Sequence, residues 1–152
     1  MRFIAAVLVF ALGVLIAPSA SATEQASLTS SAAQARSQVA SLVQDYEARY
    51  GPRVSASQRA ELRRMIRESR REMNSLVRSV RIAEQRQRTS DWRRAYAQYL
   101  EMRALADERL VEVQDILAPE MSFSEQLGAW SQSRSVLQEL DSLGAQLERR
   151  AR

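Results

Sequence analysis

Arginine is the residue type whose number and spacing best suit a binding function in this 152-residue chain. Five arginines recur at intervals of three or four residues or lie side by side: Arg59, Arg63, Arg67, Arg70 and Arg71. Side chains at these intervals share one side of an α-helix. Between residues 53 and 94 the chain has thirteen arginines and five acidic residues, a net charge of +8. Such a surface attracts anionic or acidic partners by long-range electrostatics.

Few residues of this sequence are suited to catalysis or to metal binding. The chain has no His and no Cys, so it lacks the usual general base near neutral pH and the commonest transition-metal ligands. None of its four glycines belongs to a phosphate-binding loop. Its acidic residues lie on polar helix flanks, away from the apolar surroundings that a catalytic carboxyl needs. We therefore expect no enzyme activity, no catalytic residue, no metal site and no cofactor.

The arginines belong to a long predicted helix over residues 55–88. Neither Gly nor Pro interrupts it, and Ser55 and Gln58 have the spacing of a capping box at its start. Its apolar residues repeat at helical spacing: Leu62, Met65, Ile66, Met73, Leu76, Val77 and Val80. At about 50 Å this helix is longer than one compact core covers, so it requires a long partner helix or a second chain.

Three further helices are predicted over residues 31–50, 91–117 and 122–149. Gly51, expected in the left-handed conformation, and Pro52 end the first helix. Pro119 ends the third, and Ser122 with Glu125 forms a second capping box. The last helix has an apolar stripe that we expect in the core, consisting of Phe123, Leu127, Trp130, Leu137, Leu140 and Leu147.

These patterns predict an all-α fold with a single helical domain over residues 31–152. Its centre is a long antiparallel hairpin, with flanking N- and C-terminal helices. The second helix of the hairpin carries an acidic flank formed by Glu101, Glu108, Glu112 and Asp115. An antiparallel hairpin brings this flank toward the basic helix, which leaves two interpretations of the arginines: a solvated face paired with these acids, or a binding surface.

The N-terminus has the pattern of a secretory signal peptide over residues 1–22. Met1 and Arg2 precede a run of mostly apolar residues, and Ala20 to Ala22 form a cleavage site of small residues. The mature chain then begins at Thr23 in the periplasm, with a flexible leader over residues 23–30 and no integral membrane segment. Export also makes nucleic acid an improbable partner of the basic helix.

The region around the first capping box resembles the LTxxQ motif of the Spy/CpxP family of periplasmic proteins. Val54 to Gln58 match it with Val for Leu and Ser for Thr, and the family-like helix RAELRRMIRESRREM follows. A more degenerate copy occurs at Leu117 to Met121, and a competing register at Met121 to Glu125 keeps the capping residue. The resemblance implies a cradle-shaped dimer that acts as an ATP-independent chaperone or as an accessory protein of envelope-stress signalling.

Two functions are therefore expected. In the first, the five arginines attract unfolded or acidic client proteins, while Met65, Met73, Leu76 and Tyr96 supply adaptable apolar contacts. In the second, the protein is an envelope-stress regulator or scaffold that binds one defined partner, such as a periplasmic sensor domain. We also expect a homodimer, either cradle-like or a bundle, because the apolar stripes of the two long hairpin helices extend beyond what a single four-helix core covers. The four apolar contact residues lie on the stripes of their helices, however, and that position favours burial in the core over contact with a partner.

Overall fold

The computed structural model describes residues 27–152, which form four long α-helices and no β-strand. The helices are α1 (Leu28–Tyr50), α2 (Ala56–Arg86), α3 (Thr89–Leu117) and α4 (Phe123–Ala151), with a short 3-10 helix at Ala118–Glu120. The predicted all-α fold class is confirmed. The predicted signal peptide and residues 23–26 of the predicted leader lie outside the described residues.

Capping boxes fix where α2 and α4 begin. The Ser55 amide donates to the Gln58 side chain at 3.0 Å, while the Gln58 amide donates to the Ser55 hydroxyl. Ser122 and Glu125 make the same reciprocal pair, with the Ser122 amide 2.7 Å from the Glu125 carboxylate. Both capping boxes expected from the sequence are therefore present, the second in the register that starts at Met121.

Helix α1 begins three residues earlier than expected, at Leu28. Its cap is Ser27, whose hydroxyl accepts a hydrogen bond from the Ser30 amide at 3.1 Å. Ser31, where the helix was predicted to begin, lies inside it. The last three residues of the predicted leader are therefore helical, because the sequence offers two serines at capping spacing and the earlier one is used.

The connections between helices differ from the prediction as to which residue adopts the left-handed conformation. Gly51 has a φ of −52°, so it is right-handed and not the left-handed residue expected there. Glycine is required by close approach instead, since a Cβ at this position would overlap the carbonyl oxygen of Glu47. The left-handed residue is Gln87, with a φ of 52°, and it follows the end of α2 at Arg86, two residues before the predicted end at residue 88.

The four helices pack in a ring, in which α1 contacts α2, α2 contacts α3, α3 contacts α4, and α4 contacts α1. Consecutive helices run antiparallel, because each connection is short, and α4 therefore also runs antiparallel to α1. The end that holds the α2–α3 connection is called the turn end, and there Arg93 donates to the carbonyl of Ala151 at 3.1 Å. The opposite end is called the Pro119 end. Flanking helices of the same chain thus cover the long hairpin.

The main core fills the turn-end half of this bundle. Its largest fully buried side chains are Leu76, Val80, Leu143 and Leu147. Tyr99 packs directly on α4, where Gly144 leaves room for the ring that any Cβ would overlap. The Tyr99 hydroxyl donates to Asp141 at 3.1 Å. This half therefore combines close apolar packing with a hydrogen bond from the Tyr99 hydroxyl, although Thr29 Oγ1 and Asp91 Oδ2 are buried here without a hydrogen-bond partner among residues 27–152.

In the ion pairs between α2 and α3, the helices that supply the basic and the acidic side chains are the reverse of those expected. Arg109 of α3 forms two hydrogen bonds to the Glu72 carboxylate of α2, at 2.5 and 2.7 Å, and this contact raises the pKa of Arg109. Within residues 27–152, no ion pair involves the four acids of the expected flank, Glu101, Glu108, Glu112 and Asp115. Glu68 and Glu72 of α2 thus face α3, whereas the four acids of the expected α3 flank are exposed.

None of the helices within residues 27–152 combines the length and apolar character needed to cross a bilayer.

Candidate functional site

A second and smaller apolar cluster lies at the Pro119 end. Its buried members come from α1, α2, α3 and the α1–α2 connection: Tyr50, Val54, Leu62, Met65 and Leu117. Five buried residues cannot close the interior between four helices, and the space between the two clusters is only partly filled. This half of the bundle is therefore less completely packed than the turn-end half.

A cavity of about 130 Å³ occupies the gap between the two clusters. All four helices contribute to its wall, most of which is aliphatic. Several wall residues are only half buried, among them Leu42, Val43, Ile66, Leu110 and Val113. An unfilled apolar space forfeits dispersion contacts along its lining. The chain therefore sacrifices some packing energy at this level of the bundle.

An apolar crevice of about 370 Å³ adjoins the cavity and opens to the surface between α3 and α4. The two spaces share part of their lining, including Leu110, Val113 and Leu117. Three large side chains of α4 form the lip of the crevice, and much of each is exposed: Phe123 (75%), Leu127 (53%) and Trp130 (51%). The crevice and this lip together form the candidate binding site.

The expectation that Phe123, Leu127 and Trp130 lie in the core was wrong. A stricter reading of the helical period would have found this for Leu127 but not for Trp130. At about 100° per residue, Leu127 lies about 140° around the helix from Leu140 and about 160° from Leu147. Trp130, however, lies only about 20° around the helix from Leu137, which packs against the main core, so the helical period alone does not separate the whole lip from the buried part of α4.

A polar pair forms the floor of the crevice and joins α1 to α4. The Tyr46 hydroxyl donates to the carbonyl of Ala129 at 2.6 Å and lies 3.1 Å from the hydroxyl of Ser133. Burial raises the pKa of Tyr46, so the hydroxyl stays neutral. Ser133 is fully enclosed. These hydrogen bonds hold the two helices in place beneath an otherwise apolar surface.

The five predicted arginines fall into two groups. Arg59 is half buried and donates to the carbonyl of Gly51 at 2.7 Å, and Arg63 pairs with Glu47 at the same distance. Arg67, Arg70 and Arg71 are exposed, and none forms an ion pair within residues 27–152. The first group supports the α1–α2 connection, and the second is free to meet a partner.

The apolar residues predicted to contact a partner are buried or half buried. Met65, Met73 and Leu76 are buried in the two core clusters. Tyr96 is half buried and stacks on Tyr99, with ring centroids 6.2 Å apart. The accessible apolar surface is instead the crevice lip, whose residues were not predicted to bind a partner.

The arrangement suits non-covalent binding. Within the described part of the chain, no group of three or more acidic side chains is placed to hold a metal ion. Comparison with known protein families, with curated proteins and with solved structures finds no match for this chain. Function must therefore be inferred from the geometry of the crevice and from the charges on the helices.

Proposed function

We propose that this protein is a non-catalytic, chaperone-like protein that binds incompletely folded proteins in the periplasm, and that the apolar crevice is its binding site. The lip formed by Phe123, Leu127 and Trp130 carries the proposal, because these side chains stay exposed beside a largely apolar crevice. Aromatic side chains such as Trp dominate the binding energy at many protein interfaces, and hydrophobic and aromatic side chains line most ligand pockets.

The size of the crevice suits a segment that presents a few large apolar side chains. At about 370 Å³ it falls at the lower end of the ~300–1,000 Å³ range of ligand pockets. Folded proteins bury most side chains of this kind, whereas incompletely folded chains expose them. The adjoining cavity of about 130 Å³ gives the floor room to adjust to different side chains.

Charge around the crevice favours general over selective binding. Asp115 of α3 lines one side, and the Arg134 guanidinium of α4 lies 5.2 Å from the centre of the Trp130 ring. Opposite charges at the lip give no strong preference for a partner of one sign. Selective regulators commonly use one-sided charge or buried polar contacts to reject other partners. The crevice therefore suits many clients better than one.

The periplasmic location rests on the signal peptide predicted at residues 1–22. The resemblance to the Spy/CpxP family supports the same location and the same activity. The predicted signal peptide and the family resemblance do not depend on the crevice. If the crevice proved not to be a binding site, the prediction of export would therefore stand.

Suppression of aggregation tests the proposal. We expect the chain from Thr23 onward to slow the aggregation of several unrelated denatured proteins at near-stoichiometric amounts. Leu127→Ser and Trp130→Ser should each remove most of this protection. Leu100→Ser is the matched control, since Leu100 is similarly exposed (49%) but lies in the turn-end half of α3. Equal protection by all variants would exclude the crevice.

Protection of no denatured protein, together with specific binding to a single envelope protein, would favour the alternative function of a regulator or scaffold.

A further inference from the structure

The outer faces of α2 and α3 carry opposite charges that the chain itself does not neutralise. On α2 these are Arg67, Arg71 and Arg78, and on α3 they are Glu101, Glu108 and Glu112. All six are exposed, and none takes part in an ion pair within residues 27–152. Two neighbouring helices thus present one basic and one acidic stripe side by side.

The two stripes have the same internal spacing. From Arg78 the α2 stripe steps back by seven and then four residues, and from Glu101 the α3 stripe steps forward by seven and then four. Because α2 and α3 are antiparallel, these steps run in the same direction along the bundle. The distances between successive charges therefore match on the two helices.

The stripes also lie at the same height. The side chain of Gln98 contacts those of Ser75 and Ser79, and Arg109 contacts Ser69 and Glu72. Counting from these contacts places Glu101, Glu108 and Glu112 close in height to Arg78, Arg71 and Arg67. Counted from Gln98 the offset is about four residues, or about 6 Å along the axis. Counted from Arg109 it is within about one residue, and the long arginine and glutamate side chains can span this difference.

We propose that a second copy of this chain covers this face in an isologous dimer. A twofold axis parallel to the helices places α2 of one copy on α3 of the other and keeps every residue at its height. Arg67, Arg71 and Arg78 then meet Glu112, Glu108 and Glu101 of the second copy, and the same three pairs form again by symmetry. A twofold axis across the helices would place arginine on arginine, which like-charge repulsion opposes.

The face is large enough for a specific interface. Two adjacent helices of this length offer a surface about 40 Å long and about 20 Å wide, or about 800 Å² from each copy, the area of a standard protein interface. Small exposed side chains on the same faces, Ala60, Ala97 and Ala104, allow the helices to approach. Because exposed ion pairs are screened by salt, the dimer should dissociate as ionic strength rises.

This proposal is independent of the proposed function. The crevice lies between α3 and α4, so the dimer leaves it open in both copies. It also gives Arg67 and Arg71 a different partner from the acidic clients expected from the sequence.

Charge reversal tests the pairing by sedimentation equilibrium. One variant carries Arg67→Glu, Arg71→Glu and Arg78→Glu, and the other carries Glu101→Arg, Glu108→Arg and Glu112→Arg. Each variant alone should self-associate at least about tenfold more weakly than the original chain. An equimolar mixture should restore the dimer, because every contact between the two variants is again between opposite charges.

Restoration in the mixture also shows that both variants are folded. The single-pair variants Arg71→Glu and Glu108→Arg provide the same test if either triple variant loses its helical circular dichroism. Leu127→Ser should leave self-association unchanged, which separates this interface from the crevice. A monomeric original chain at low salt and high concentration, or a mixture that stays monomeric, would overturn the proposal.

Discussion

The two halves of the bundle use similar apolar side chains with different results. In the turn-end half, Leu76, Val80, Leu143 and Leu147 are fully buried between four helices. In the Pro119-end half, a cavity and a crevice separate the helices, and the lip residue Trp130 remains half exposed. Exposed aromatic and aliphatic surface contributes nothing to the stability of the chain itself. The contrast indicates that one half holds the fold together and the other is available for binding.

The two Trp residues illustrate the same contrast. Trp92 is 4% exposed and belongs to the main core cluster, whereas Trp130 is 51% exposed. Each has an arginine over its ring, Arg150 at 5.9 Å from the Trp92 centroid and Arg134 at 5.2 Å from that of Trp130. Burial therefore distinguishes their roles, since the cation–π contact is common to both.

The largest expected effect is a loss of stability at the turn end. Leu147→Ala removes a fully buried side chain from the main core, and we expect it to lower the free energy of unfolding by about 2–5 kcal/mol. Leu110→Ala removes the same atoms from the half-buried wall of the cavity, where we expect a loss of about 1 kcal/mol or less. Urea denaturation of both variants measures the difference.

Equal losses for Leu147→Ala and Leu110→Ala would show that the two halves are packed alike. The contrast on which the proposed binding site depends would then be incorrect.

The next effect concerns stability at high pH. Burial, followed by the Asp141 carboxylate, raises the pKa of Tyr99 to about 12. The neutral hydroxyl is therefore favoured in the folded chain, and its contribution is complete below the unfolded pKa of about 10. This contribution is lost as pH rises toward 12. We expect a loss of about 1–2 kcal/mol, reduced by solvent screening at the part-buried hydroxyl.

Tyr99→Phe is the control for this pH dependence, because it lacks the titrating group but keeps the ring on Gly144. The difference in unfolding free energy between the original chain and this variant should narrow between pH 10 and pH 12. A constant difference across this range would contradict the assignment to Tyr99.

The smallest expected effect is a difference in stability between alanine variants of two arginines of the same helix. Arg59→Ala removes a charged hydrogen bond to the carbonyl of Gly51, and we expect a loss of about 1 kcal/mol in stability. Arg70→Ala removes an exposed side chain that makes no ion pair within residues 27–152. We expect a change within about 0.5 kcal/mol. Thermal unfolding in dilute solution compares them, and an equal loss would make both arginines structural.

The sequence was most informative where structure is local. The capping boxes at Ser55 and Ser122 depend on residues three apart, and both are present. The helical period also placed Leu62, Leu76 and Val80 on the buried side of α2. Such patterns depend on contacts within one helix, which the order of residues determines directly.

The sequence was least informative where two helices must be placed against each other. The acidic flank of α3 was expected to meet the arginines, but Arg109 instead reaches the acids of α2. The rotation of each helix about its axis decides this pairing, and core packing sets that rotation more strongly than surface charge. The crevice was missed for a similar reason, since a stripe shows which residues share a face but not whether a helix lies opposite.

Site-specific photo-crosslinking tests the central claim most directly. A benzoyl-phenylalanine at position 127, on the crevice lip, or at position 100, equally exposed in the turn-end half, is irradiated with a reduced, permanently unfolded protein. We predict strong cross-linking from position 127, little from position 100, and competition by an unlabelled unfolded chain. Equal cross-linking from both positions, or cross-linking from position 100 alone, would contradict the crevice as the site of client binding.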